Sequence, residues 1–364
     1  MIRLILVGVL TAAAILLFSS CAAHTRTARS HSDKVLDDAI AEMVRINIQG
    51  YEQYLLIRGA NPGAPVLLFL HGGPGFSELP LARKWNSELE NHFVFVQWEQ
   101  PGAGRSYRRE YEPGFIDGET LIDIGLEITR YLKNRFGHER IYLVGHCMGT
   151  IIGTEMIRRR PDDYAAYVGV TQHVNLRRDL SVSYERLMNW YERNGNERAL
   201  AELEGIAPIF AAKSDANFFS AKAEHEAGIY AKWLERSGGF FYGKNRLPWS
   251  YRAAYLHSKD YSLRDALNAS KGPVLMRPVA ESWIDLDYAV DCPSLEVPVW
   301  FVMGANDRHV MCDLTRAWFD LLEAPSKTFL VFASSAHFPL FEEVDRFNQV
   351  MLQVLQKCER SQRR

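Results

Sequence analysis

Apolar residues along this chain keep two alternating rhythms. Short continuous runs, "APVLLFLHGG", "HFVFVQWEQPGAG", "RIYLVGH" and "YAAYVGVTQ", each end in glycine or a polar turn. Such runs mark strands buried on both faces. Between them, "GETLIDIGLEITRYLKNRFG" and "MGTIIGTEMIRRRP" space their apolar residues at helical intervals, the first stopping at Gly137. Before them, "EMVRINIQGYEQYLLIRG" alternates around a Gly50–Tyr51 turn and predicts a hairpin. From about Asn175 to Cys292 helical spacing continues without strand signals. The first rhythm returns with "VPVWFVMGAND", a helix around "CDLTRAWFDLLE", the strand "KTFLVFASSAH" and a last helix from about Glu342 to Lys357. The expected fold is α/β: a mostly parallel central sheet flanked by helices, residues 36–174 and 293–364, with an inserted helical cap, 175–292. In such a sheet, functional groups belong at the carboxyl ends of the strands.

The first 21 residues follow another pattern. Arg3 precedes an apolar run of about 15 residues, Leu4 to Phe18, then Ser19, Ser20 and Cys21. That is the layout of a secretory signal, and the run is short of the ~20 residues that span a bilayer. "FSSC" resembles a bacterial lipobox, with Phe18 departing from the usual aliphatic residue. A lipoprotein acylated at Cys21, an uncleaved anchor and a plain signal are the readings, and each puts the body of the protein outside the cytoplasm. Residues 22–35 read as a polar tether.

Composition narrows the partners. The 364 residues are 47% hydrophobic and 24% charged, with a formal net charge of −2, so there is no basic excess to favour nucleic acid. Five cysteines, Cys21, Cys147, Cys292, Cys312 and Cys358, have no metal-ligand spacing, and no metal site is expected. A Cys292–Cys312 disulfide requires Cα atoms within about 7 Å. Oligomeric state is not legible.

The candidate chemistry lies at predicted strand ends. "LVGHCMGT" has the Gly-x-Nuc-x-Gly form of a nucleophile elbow, with Cys147 where serine is usual. Asp307 follows "FVMGAN" and His337 follows "FASSA", giving the order nucleophile, acid, base. His309 is set aside as the base because its loop already supplies the acid. "HGGPG", His71 to Gly75, follows a buried strand, and the amides of Gly73 and Met148 are the candidate oxyanion donors. Nucleophile, base and oxyanion donors all come from the chain, so no metal or organic cofactor is implied.

Together "HGGPG", "WEQPGAGRS", "VGHCMGT", "GAND" and "SSAHFPLFEE" resemble the proline iminopeptidase branch of the α/β-hydrolases, from about Ile46 to Phe347. The second motif departs from that family's Asp-Gln-Arg-Gly-x-Gly-x-Ser, with Glu99 for Asp and Pro101 for Arg. The resemblance implies an α/β-hydrolase fold and release of N-terminal residues from short peptides or small amides through an acyl-enzyme. It also implies cap carboxylates that bind the substrate's free amine. Glu281, with Asp285 and Asp287, is the candidate, against a plain reading of surface charge. Cap aromatics such as Trp190, Phe218, Phe219, Phe240 and Trp249 either line the pocket or pack the cap.

Cysteine changes the expectation. A thiol at a helix N-terminus beside an imidazole should be a competent thiolate. Sulfur leaves a tetrahedral intermediate more readily than an amine, so esters and thioesters should be less demanding than amides. An esterase, thioesterase or acyltransferase on the same residues is therefore the alternative, and a non-catalytic binding protein is the second.

Overall fold

The computed structural model describes residues 39–210 and 223–362. The leader with Cys21, the tether up to residue 35, and Phe218 and Phe219 lie outside them.

Strands β1 (Ile40–Ile48) and β2 (Tyr51–Gly59) form the expected hairpin. Its turn is one residue earlier than read from the sequence. Gln49 and Gly50 both take positive φ, 54° and 86°, as a two-residue turn matched to strand twist requires. Strands β3 (Val66–Leu70), β4 (Val94–Glu99), β5 (Ile141–His146), β6 (Tyr164–Val170), β7 (Val299–Gly304) and β8 (Lys327–Phe332) complete one sheet in the order β1-β2-β4-β3-β5-β6-β7-β8. The pairings β1–β2 and β2–β4 are antiparallel and the rest are parallel.

Every residue of β3 to β7 is buried, which is why these strands read as unbroken apolar runs. Edge strand β8 is largely half-exposed. On one face, Leu68, Leu70, Val96 and Trp98 join a core with residues of α2 (Gly118–Phe136) and α3 (Gly149–Arg159). On the other, Phe69, Phe95 and Trp300 pack with residues of α1 (Leu79–Trp85), α13 (Pro339–Glu342) and α14 (Val344–Gln362). Helix α2 begins where Asp117 accepts the Thr120 N–H at 2.7 Å and stops at Gly137, φ +69°.

Between β6 and β7 the described residues form only helices: α4 (Leu176–Arg193), α5 (Glu197–Glu204), α6 (Glu224–Arg236), α7 (Trp249–His257) and α8 to α11 (Leu263–Ala269, Gly272–Leu275, Arg277–Ser282, Tyr288–Asp291), with a short 3-10 turn at Ala207–Phe210. An antiparallel bridge, Asn175 to Asp287, ties the two ends of this insertion. Helix α12 (Cys312–Leu321) follows β7.

The end of β7 is tight. A Cβ on Gly304 would overlap the Ala336 carbonyl and come within 2.9 Å of the Ser335 oxygen. Those residues lead into His337, so β7 must end in glycine for that loop to cross it. Gly304→Ala is expected to destabilise the protein by about 1–3 kcal/mol through overpacking and to lower activity by shifting the His337 loop. Urea denaturation checks it, and an unchanged midpoint would contradict the account.

Candidate active site

The turn after β5 is a strained elbow. Cys147 has φ +51°, in the left-handed region that costs a non-glycine residue about 1–3 kcal/mol. The glycines packed around it have no room for a side chain. A Cβ on Gly145 would meet the Gly149 oxygen at 2.6 Å, and one on Gly72 would stand 2.9 Å from Cys147 Cβ. Cys147 itself is 7% exposed.

His337 and Asp307 come from the loops after β8 and β7, and His337 is the charge that most lowers the thiol. His337 Nδ1 is 3.0 Å from Asp307 Oδ2, and both residues are buried. Asp307 Oδ1 accepts the N–H groups of His309 and Val310 at 2.7 and 3.1 Å, which leaves Oδ2 for the imidazole. The His337 backbone is pinned as well: its carbonyl lies 2.9 Å from His146 Nε2, and its N–H reaches the Phe240 carbonyl at 3.3 Å. His146 is held from its other side by Glu78, 2.7 Å from Nδ1. The Phe240 ring stacks on the His337 ring at 4.8 Å, so a residue of the insertion covers the imidazole.

A second imidazole, which the sequence reading missed, also touches the sulfur. His173 Nε2 is 3.7 Å from Cys147 Sγ, and His173 Nδ1 is 2.8 Å from Asp179 Oδ2. Asp179 Oδ1 accepts the Met311 N–H at 2.9 Å. Its signal was present but unread, for "VTQHVN" carries a histidine just past the carboxyl end of β6, the neighbour of β5. His309 stands between the other two histidine rings, 6.3 Å from His173 and 5.2 Å from His337, with Tyr230 Oη 3.1 Å from its Nδ1.

Burial and charge act against each other here. Burial alone would raise the Cys147 thiol; the charge of His337 and hydrogen bonds from His173 and His337 hold it well below its ordinary value. Burial would lower His337, but the Asp307 and Cys147 charges raise it well above the usual imidazole range. His173 is likewise opposed by burial and raised to about 9 through its bonds to Asp179 and Cys147. His309 is lowered to about 4 by burial and by the His337 charge, so it is neutral. The mutual pairing thus lowers the Cys147 thiol and raises both imidazoles, while burial raises Asp179 against its bond to His173 and the His337 charge lowers Asp307.

The amides of Gly73 and Met148 have no hydrogen-bond partner among the described residues. Gly72 N–H is taken by Glu78 at 3.3 Å.

The second motif builds a buried carboxylate. Glu99 accepts the Arg105 N–H at 2.6 Å and the Tyr261 hydroxyl at 2.5 Å, and bonds Ser77. Burial raises it to about 7 against those bonds.

Among the cap carboxylates, Asp285 is exposed and pairs with Arg177 at 2.7 Å. Asp287 caps α11 through the Ala289 N–H at 3.1 Å. Glu281 is half-buried on α10. Trp249 is exposed, and the Tyr242 N–H donates to Glu342 Oε1 at 2.6 Å. A cavity of about 750 Å³ opens between Trp190, Tyr191 and Trp233, with Arg198, Arg236 and Arg246 on its rim. No Cys292–Cys312 bridge forms: both are free thiols, as is Cys358.

A family model described as alpha/beta hydrolase fold matches residues 65–344. The "Probable aminopeptidase YbaC" of Bacillus subtilis strain 168 is 28% identical over 310 residues, 85% of this chain and 94% of that protein. The crystal structure of a proline iminopeptidase from Mycobacterium smegmatis superposes with a TM-score of 0.61 at 17% identity, covering 88% of this chain and 99% of that one. The crystal structure of VinJ gives a TM-score of 0.63 at 20% identity, covering 87% and 99%. These two structural likenesses are likenesses of fold.

Proposed function

Because the chain belongs to the α/β-hydrolase fold family, we propose that it is an acyl-transferring hydrolase whose nucleophile is Cys147, with His337 as base and Asp307 as its orienting acid. The observation that carries this reading is the buried thiol at a strained elbow, lowered chiefly by the charge of an imidazole that lies 3.0 Å from a buried carboxylate. Gly73 and Met148 supply the oxyanion amides in this scheme. The aminopeptidase-like relative supports a substrate with a free N-terminus, for which Glu281 is the candidate amine partner. The sulfur nucleophile supports a second reading, ester or thioester cleavage. Thiolate is a better leaving group than an amine, so an amide intermediate tends to collapse back to substrate unless nitrogen is protonated. The pattern of Arg3, the apolar run and Cys21 supports action outside the cytoplasm from an N-terminal lipid or anchor.

Two measurements test the proposal. Iodoacetamide should label Cys147 almost as fast at pH 6 as at pH 8, because its thiolate persists until the pH falls through the lowered pKa. An ordinary thiol, pKa ≈ 8.5, slows by about 10²-fold over that range. Cys292, raised to about 11 by burial, and Cys312 and Cys358, also raised by burial, should stay unlabelled. A p-nitrophenyl ester should turn over faster than proline p-nitroanilide. Slow labelling of Cys147 with no turnover of either substrate would favour a binding protein, and faster anilide cleavage would favour the peptidase reading over the esterase one.

A further inference from the structure

The segment that carries His173 is built with unusual care. Thr171, at the exit of β6, has φ +47°, a genuine outlier for a β-branched residue. Four hydrogen bonds hold the strain in place. Thr171 N–H reaches the Val302 carbonyl at 2.8 Å and Thr315 Oγ1 donates to the Gln172 carbonyl at 2.8 Å. His173 N–H reaches Thr150 Oγ1 at 3.1 Å, and Gln172 Nε2 donates to the His173 carbonyl at 2.8 Å. Among the described residues, two of the three non-glycine positions with positive φ, Cys147 and Thr171, thus lie at the same contact. Strain held by surrounding structure clusters where geometry is used.

We propose that His173, oriented by Asp179, is a second catalytic proton donor, delivering its Nε2 proton to the leaving group while His337 keeps its place beside the sulfur. The proposal rests on Cys147 being the nucleophile. In acylation, a sulfur electron pair forms the S–C bond and the carbonyl π pair moves to oxygen. On collapse that pair re-forms C=O, the bond to the leaving oxygen or nitrogen breaks with its electrons on that atom, and His173 supplies the proton. In deacylation, water gives a proton to the neutral His173 as its oxygen attacks the thioester. Sulfur then leaves with its electron pair, which restores the thiolate and both imidazoliums. At collapse the sulfur is bonded to carbon and no thiolate is present, so a proton delivered to the leaving atom is what keeps sulfur from being expelled in its place. His173 can give that proton while His337 stays paired with Asp307. The division answers the difficulty a sulfur nucleophile has with basic leaving groups.

The ionisable groups facing His173 are Cys147 from the elbow, Asp179 from α4 and His309 from the loop after β7. Behind them stand Asp307, His337 and Tyr230. Of these, His309 is lowered to about 4 by burial and the His337 charge, Tyr230 is raised by burial, and Asp179 and Cys147 are the groups that raise His173.

The test uses kcat/KM at pH 7 for aryl acetates whose phenols differ in basicity. His173→Gln should lose about 10²-fold on phenyl acetate, in the range one general acid contributes, and less than about fivefold on p-nitrophenyl acetate, whose leaving group barely needs a proton. Asp179→Asn keeps an oxygen for the Met311 N–H and should shift the leaving-group dependence in the same direction, less steeply. It carries the test if His173→Gln does not fold. An equal loss on all esters, or no loss, would overturn the proposal. If instead Cys147→Ala keeps the wild-type rates, the nucleophile assignment itself fails.

Discussion

Cys147→Ala should lose at least about 10⁴ in kcat/KM against any acyl substrate the wild type turns over. Removing the nucleophile of such a unit leaves only binding and oxyanion stabilisation. The variant should fold normally. One sulfur atom leaves a small void, and the elbow's strain falls on the backbone, which alanine shares. Fast alkylation near neutral pH should vanish with it, because the other described thiols are raised by burial. Cys147→Ser should retain measurable ester turnover and lose its activity at low pH. A serine hydroxyl has no standing anion, so it needs a neutral base. Equal ester rates for wild type and the alanine variant would place the chemistry elsewhere.

Asp307→Asn should cost about 10²–10⁴ near pH 7, the scale seen when the orienting carboxylate of a triad is replaced by an amide. The geometry gives the reason. Asp307 Oδ1 already serves the His309 and Val310 N–H groups at 2.7 and 3.1 Å. The asparagine oxygen will keep that place, turning its NH₂ toward His337 Nδ1. Nδ1 must then accept, so the ring proton moves to Nε2 in the neutral ring. The lost charge also matters, for Asp307 is the largest influence raising His337, and His337 is the largest lowering Cys147. Without it the thiol pKa rises toward its ordinary value. Activity should therefore recover in part as pH rises from 7 to 9, where the wild type, its thiol held well below the ordinary value, gains little. A kcat/KM profile from pH 5 to 10 for one ester reads this, and an unshifted profile at reduced height would contradict it. The surviving His173–Asp179 pair should keep the alkylation rate above that of a free thiol.

Much of this site was legible along the chain because its parts are tied to local rules. Continuous apolar runs ending in glycine announce buried parallel strands, and the turn around the nucleophile leaves no room for a Cβ at Gly145 or Gly149, two residues to either side. Asp307 and His337 could be named from their places after strand-like runs. His173 could not be weighed in the same way. It differs from any buried histidine only through contacts with Cys147, 26 residues away, and through a strained threonine whose φ leaves no trace in composition. Asp179 looks like an ordinary first-turn acid of α4, which complements the helix dipole. Its second oxygen is committed to Met311, 132 residues on.

The sequence by itself determined the layered α/β architecture, the elbow and the order of the reactive groups, because strand burial, helical spacing and glycine geometry act between near neighbours. Only the tertiary structure decided how many imidazoles meet the sulfur and how the oxygens of Asp307 and Asp179 are shared. It also decided that Phe240 of the insertion lies on the His337 ring. Those outcomes depend on distances between groups far apart in the chain, and on burial, which fixes the charge each of them carries.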